Sequence, residues 1–371
     1  MLRTTQFTVV WLVLAVFLMC GALPAQAACT SPQVIIFHAG SLNAAFKAIE
    51  AKFTADTGIC VTDQAFGSLD MLRQATAGGQ AADIVAPADY LDIDLFLKPD
   101  RYVDYNILFA EGKMVLAYCL GSSGVTNDPC GGVSKQSSSI AAAGTFAPTS
   151  PTSDAIPKAV QTWYQVLSTP GVVVGGSHLY LDPSGYRAPM IFRLAQSNYN
   201  VPNLYNNLLE HYLATPATSP LSVPLKLGVN YDYQFIYQNN AYANYLIDPA
   251  NYRYVNLPDQ VNLGNSALNC YYRQAVIVEP DLFGTGFVPL PASRVIWGVS
   301  ILKTATNKDS AIKFLQYLLG TVGQAVLTTN GPAPIIPAVV SDEDFRKLPK
   351  VLKPLVQVDH LLGCPEEWRC R

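Results

Sequence analysis

Residues 34–55, VIIFHAGSLNAAFKAIEAKFTA, decide how the rest of the chain is read. Val34-Ile35-Ile36-Phe37 is a short apolar, largely β-branched run, the pattern of a buried strand. The chain then turns at His38-Ala39-Gly40. Ser41 stands where an N-cap belongs. Leu42, Ala45, Phe46, Ile49 and Phe53 follow at helical spacing, and Gly58 supplies the C-terminal stop. A strand that turns through small residues into a helix leaves backbone N–H groups and a hydroxyl facing the space beyond the turn. That is the make-up of an anion site. An ordinary βα turn, with Ser41 only capping its helix, uses the same residues, and this stretch alone does not separate the two.

The device recurs. Cys60 to Ala65 reads as a second strand, and Phe66-Gly67-Ser68 opens a helix with Leu69, Leu72 and Ala75 on one face. Ala82 to Ala86 is a third strand, turning at Pro87-Ala88-Asp89. Lys113 to Cys119 is another. Leu181-Asp182-Pro183-Ser184-Gly185-Tyr186-Arg187 opens a third helix, in whose first turn Pro189 is tolerable. Leu227 to Asn230 reads as strand-like, Arg294 to Leu302 as a strong strand, and Asp309 opens a helix with Ile312, Leu315 and Leu319 inward. The Pro-rich segment Gly331 to Pro337 is expected to run back across the surface. Alternation of strand and helix argues a parallel or mixed α/β sheet. Ser41, Ser68 and Ser184 each mark a helix N-terminus carrying roughly half a positive charge. Converging, the three would hold a dianion without Lys or Arg; unconverged, they are three caps.

The chain has 371 residues, half of them hydrophobic and 14% charged, enough for one large or two medium domains. A net charge of −3 offers no basic surface for nucleic acid. Arg3, the apolar run Val9 to Ala22, and Ala25-Gln26-Ala27 have the order of a cleaved signal peptide over 1–27. Export makes disulfides the default for the cysteines that remain. Cys119 with Cys130, Cys364 with Cys370, and Cys29 with Cys60 can pair, which leaves Cys270 unpaired, although connectivity is not read from sequence. The cysteine and histidine spacings fit no zinc template, and no metal site or cofactor is read from them. Residues 121–158 are Ser, Gly, Pro, Thr and Ala with few large apolar side chains, a mobile insertion.

Catalytic patterns are sparse. Ser300 and Lys303 match S-x-x-K, but Ser300 falls inside a predicted strand and no KTG follows. G-x-S-x-G is missing, and His38, His178, His211 and His360 suggest no triad by spacing. A secreted hydrolase stays as the enzymatic alternative without a nucleophile–base pair to name.

FHAGSL at 37–42, GSL at 67–69, ADIVAPADY at 82–90 and DPSGYR at 182–187 resemble the molybdate/tungstate-binding proteins of ABC importers, most of all their archaeal-type tungstate branch. Weaker likenesses continue through YDYQFIY at 231–237, YRYVNLPDQVNLG at 252–264 and NKDSAIKFLQYLL at 307–319. The resemblance implies an α/β, two-lobed periplasmic-binding-protein type II fold, each lobe a mixed, mostly parallel sheet flanked by helices. Residues 29–117 with about 290–371 would form one lobe and 118–289 the other. It implies a periplasmic or extracellular monomer that closes on a tetrahedral oxyanion, tungstate or molybdate, and hands it to an ABC permease. Another small anion such as sulfate is the alternative cargo. The implied ligand-binding residues are Ser41, Ser68, Asp182, Ser184, Gly185 and Tyr237, with Asp182 reaching the metal centre of the oxyanion. Two departures stand out. Ser184 replaces the family's usual Cys, and Ile236 occupies the place of a second carboxylate, which puts six-fold coordination of the metal in doubt.

Overall fold

The computed structural model describes residues 33–121, 128–130, 163–214 and 227–359. The expected signal peptide, the Cys364–Cys370 pair and the 121–158 insertion, apart from 121 and 128–130, lie outside them.

Fourteen strands are described: β1 (Gln33–Ala39), β2 (Cys60–Phe66), β3 (Ile84–Ala86), β4 (Ile107–Gly112), β5 (Met114–Cys119), β6 (Val174–Gly176), β7 (Tyr212–Ala214), β8 (Tyr233–Tyr237), β9 (Tyr252–Asn256), β10 (Val276–Pro280), β11 (Phe287–Pro291), β12 (Val295–Ile301), β13 (Ala333–Val340) and β14 (Val356–Val358). Seven of them form one mixed sheet in the order β14-β13-β4-β12-β3-β1-β2. A second, five-stranded sheet runs β7-β6-β8-β5-β9, and β10 and β11 pair as an antiparallel hairpin. The chain leaves the first sheet at Gly112 and enters the second at Met114, across the single residue Lys113. It returns to the first sheet at β12. This is the two-lobed α/β architecture of type II periplasmic binding proteins.

The first βα unit forms for the reasons its sequence gives. Val34, Ile36 and Phe37 are buried, and β1 lies parallel between β2 and β3. The helix Asn43–Thr57 buries Ala45, Phe46, Ile49 and Phe53, and ends at Gly58, whose φ of 71° is left-handed and whose N–H reaches Thr54 O at 2.9 Å. Phe46 and Phe53 meet Phe314 of the helix Lys308–Leu319 edge-on, with centroids 6.1 and 5.2 Å apart. Fully burying a ring of this size stabilises by about 1.5–3 kcal/mol, so these contacts fix the helices on the sheet. All seven residues of β12 are buried, as its apolar run predicts. Ser300 there donates to Tyr105 O at 2.6 Å, which is a structural bond inside the core.

Several expectations are corrected. Ser41 is not an N-cap: Gly40–Leu42 form a 3-10 turn led by Ala39, and the α-helix starts at Asn43. Ser68 is not a cap either, since Gly67 holds the N-cap position. The Pro-rich 331–337 segment does lie mostly at the surface, with Ile336 exposed, but from Ala333 it is part of β13, paired antiparallel with β4. Its register shifts between Pro334 and Val339, where prolines without N–H groups interrupt the ladder. Cys270 is not unpaired; it and Cys60 are each disulfide-bonded, and Cys119 joins Cys130 as expected. Leu227–Asn230 contributes only an isolated bridge, Leu227 to Tyr231.

Candidate ligand-binding site

A cavity of about 210 Å³ lies between the two sheets. Ala39, Gly40 and Ser41 line it from the turn after β1, Ala88 from the turn after β3, Ser177 from the turn after β6, and Asp182 and Ser184 from the start of the helix Pro183–Tyr199. Gln234 to Tyr237 of β8 and Asn240 at the start of the helix Gln238–Ile247 close it. Asp182 is its only charged lining residue. Of the six residues expected to bind ligand, the structure brings Ser41, Asp182, Ser184 and Tyr237 to this wall. It places Ser68 and Gly185 behind it.

The polar groups of the wall share a pattern. Ser41 Oγ accepts from Trp297 Nε1 at 2.9 Å. Tyr237 Oη accepts from Arg187 Nη1 at 2.6 Å. Asn240 Oδ1 accepts from Asn239 Nδ2 at 2.7 Å, and Asn239 Nδ2 also reaches Ser41 O. In each case an N–H already occupies one lone pair of the oxygen, and the hydroxyl proton or amide NH₂ is left as a donor to be offered elsewhere. A wall of this kind presents donors, not acceptors. Buried Tyr237 keeps its proton firmly: burial raises its pKa, which Arg187 only partly offsets.

Asp182 is the exception. It is the N-cap of its helix, with Oδ1 accepting from Ser184 N at 2.8 Å and Ser184 Oγ at 2.9 Å. Ser177 and Ser184 hydroxyls lie 2.8 Å apart. Burial raises the Asp182 pKa, and the Ser184 amide and hydroxyl work against it. Two of the three helix starts, at Gly40–Ser41 and at Asp182–Ser184, therefore meet at the cavity, and Ser68 does not line it. The 183–199 end is capped by its own carboxylate. The end of the helix Ser68–Ala75 is spent on Leu181 O, which accepts from Leu69 N at 3.1 Å and Asp70 N at 3.4 Å. Ser68 Oγ accepts from Ala88 N at 2.9 Å. The Gly40–Ser41 end opens on the cavity without a side-chain cap.

Two glycines permit this packing. A Cβ on Gly67 would stand 2.5 Å from Leu181 O, and one on Gly185 2.3 Å from His178 O. Behind the wall, Arg187 joins the two sheets' elements. Its Nη2 lies 3.0 Å from Asp89 Oδ2, and its Nη1 donates to Ala88 O at 3.0 Å. Tyr186 Oη donates within this group, 3.0 Å from Asp89 Oδ2 and 3.1 Å from Asp92 Oδ1. Burial pushes Asp92 well above the carboxylate range, and Asp89 adds to this, favouring the neutral acid.

Comparison with known proteins decides the family. A family model described as bacterial extracellular solute-binding protein matches residues 34–331. The chain belongs to this solute-binding family. Among its relatives, the molybdate/tungstate-binding protein WtpA of Thermococcus kodakarensis is 32% identical over 361 residues, 90% of each chain. The molybdate/tungstate-binding protein WtpA of Pyrococcus abyssi is 28% identical, covering 92% of this chain and 96% of that one. Among solved structures, the sulfate-binding protein SubI from Mycobacterium tuberculosis H37Rv shares the fold, with a TM-score of 0.52 at 15% identity over 82% of this chain and 88% of that one. Among the described residues, no helix of this solute-binding chain is long and apolar enough to cross a membrane.

Sequence reading missed Ser177, Gln234, Asn240 and the role of Trp297. Ser177 carried a signal: it follows Gly175-Gly176 after a short apolar run, the same strand–glycine–serine order as at 40–41 and 67–68. Trp297 carried none, since nothing in a buried strand says which indole N–H meets which hydroxyl.

Proposed function

We propose that this protein captures a tetrahedral oxyanion, tungstate or molybdate, in the cavity between its sheets and delivers it to an ABC permease. The observation that carries the reading is the donor-bearing wall: Ser41, Tyr237 and Asn240 each accept an N–H and keep protons to offer the ligand. Ser41, the Gly40–Ser41 amides and Tyr237 hold the oxygens, Ser184 holds Asp182 at the wall through its N–H and hydroxyl, Gly185 lets its helix approach, and Ser68 acts through Ala88. Asp182 approaches the metal centre. One lobe carries the seven-stranded sheet and the other the five-stranded sheet, hinged at Lys113 and at the return into β12. The chain works outside the cytoplasm, exported by a cleaved signal peptide, as a monomer without cofactor or catalysis.

A second cargo, sulfate, is favoured by one observation. Asp182 Oδ1 already caps Ser184, and Ile236, on the cavity wall, offers no second carboxylate. Expansion beyond four-fold coordination is what would set tungsten and molybdenum apart from sulfur. Calorimetric titration of the desalted mature protein with tungstate, molybdate, sulfate and phosphate separates the readings. The metal-oxyanion reading expects tungstate and molybdate to bind at least tenfold more tightly than sulfate. Equal or stronger sulfate binding overturns it in favour of the second, and no binding of any of the four overturns both.

A further inference from the structure

On the far side of His38 from the cavity wall is a second cluster of chemistry-bearing side chains, independent of the oxyanion reading. His38 comes from β1, Asp63 from β2 and Glu50 from the helix Asn43–Thr57. One imidazole nitrogen and one oxygen of each carboxylate lie within 4.8 Å of one another. His38 is fully buried and Glu50 is 7% exposed.

We propose that His38, Glu50 and Asp63 form a divalent-cation site of the zinc or manganese class. Three observations carry it. First, His38 Nδ1 lies 2.9 Å from Ala39 O, which fixes the ring proton on Nδ1 and turns the Nε2 lone pair outward. A backbone carbonyl on the other ring nitrogen is the arrangement that orients metal-ligating histidines. Second, that Nε2 stands 3.2 Å from Asp63 Oδ2. A lone pair facing a carboxylate oxygen is repulsive unless a proton or a cation sits between them. Donors that share a metal at roughly 2.0–2.2 Å stand about 3–3.6 Å apart, so this pair already has the spacing. Third, Glu50 Oε1 is buried without a hydrogen-bond partner. A group in that position gains most from a neighbouring positive charge.

The donor set is one imidazole and two carboxylates with no sulfur, which suits Zn²⁺ or Mn²⁺ and disfavours soft monovalent copper. Lys47 Nζ holds Asp63 Oδ1 at 2.7 Å, but its side chain is 59% exposed and it leaves Oδ2 to the cation. The other grouping of this kind among the described residues, Asp128, Cys130 and Asp248, has its sulfur tied up in the Cys119 disulfide.

The test uses the mature chain, tag removed and stripped with EDTA, titrated with ZnCl₂ and separately with MnCl₂. One equivalent of either is expected, with a rise in thermal midpoint. Glu50→Gln and Asp63→Asn, both close to isosteric, are each expected to weaken uptake at least tenfold, while His178→Ala and His211→Ala retain it. Lys47→Met, which removes the competing charge, is expected to bind a few-fold more tightly. Failure of the parent to take up one equivalent of either ion overturns the proposal. So does uptake that survives in Glu50→Gln and Asp63→Asn.

Discussion

Ser41 and Ser68 look alike in sequence and differ in what their hydroxyls do. Ser41 lies on the cavity with its oxygen filled by Trp297, so its proton is the part a ligand meets. Ser41→Ala is expected to cost about 1.5–3 kcal/mol of oxyanion binding, the range for hydrogen bonds to charged groups. Trp297→Phe loses the N–H and also the bulk of a fully buried indole; the lost hydrogen bond should cost about 0.5–1.5 kcal/mol of affinity, with the cavity read separately as lost stability in denaturant unfolding. Ser68 is buried, and its alanine variant would strand the Ala88 amide. Its loss should appear chiefly as stability, about 1–3 kcal/mol by denaturant unfolding, with a smaller change in calorimetric affinity. Asp182 sets selectivity. At 4 Å, a carboxylate repels each unit of ligand charge by roughly 4 kcal/mol at an effective dielectric of 20. Asp182→Asn keeps a cap oxygen and removes the charge. Tungstate and molybdate should weaken relative to sulfate, since a carboxylate near the metal rewards only an atom able to extend its coordination. Unchanged ratios in competition titrations would make Asp182 a helix cap and nothing more.

At the level of elements, the βα turns act as abutments as much as anion sites. Gly67 allows the start of one helix to take Leu181 O, and Gly185 allows the next to pack on Ser177 and His178. A methyl at either place meets a carbonyl oxygen at a separation no packed atoms adopt, so the elements must part. Gly185→Ala is expected to lower oxyanion affinity at least tenfold while far-UV circular dichroism stays at the parent's. Gly67→Ala should do the same from the opposite side of the joint. Parent-like affinity in both would mean that these elements shift freely without moving the cavity wall. β13 teaches a related point: its prolines read as a surface connection, yet a strand tolerates them where the register slips.

Across the whole molecule, the joint between the sheets is rich in buried acid. Asp89, Asp92 and Glu279 face Tyr186, Arg187 and Arg73. Glu279 Oε2 has no partner, and burial, against a weaker pull from Arg73, raises its pKa to about 8. In the unfolded chain the ordinary value is about 4.3. Between these values the native protein holds a proton that the unfolded chain releases, so stability is greatest below the lower value and falls as pH rises towards 8. A shift of this size corresponds to a few kcal/mol. Glu279→Gln should therefore raise the thermal midpoint at pH 8 and leave it nearly unchanged at pH 4.5. Glu50, raised to about 7, has the same sign and should leave a residual fall between pH 4.5 and 7 in that variant. Equal midpoint gains at both pH values would show that Glu279 is not protonated in the native joint.

The sequence by itself determined the local units. Val34 to Phe37 made a strand, the apolar face of 45–53 made a helix stopped at Gly58, and Ser300 lay inertly in β12, whereas Pro189, expected in a first turn, stands inside the helix that begins at Pro183. Periodicity, caps and glycine φ act over a few residues, so a few residues suffice to read them. It also placed Ser41, Asp182, Ser184 and Tyr237 among the candidates that the fold brings to one cavity. What only the tertiary structure decided is which end of each polar group faces that cavity. Ser41 and Trp297 are 256 positions apart, Tyr237 and Arg187 are 50, and His38 and Asp63 are 25. A hydroxyl is donor or acceptor according to the partner that reaches it first, and partners at such separations are set by how the sheets and helices pack. That is why Ser68 could be read as a helix cap and Cys270 as unpaired, until the strands stood side by side.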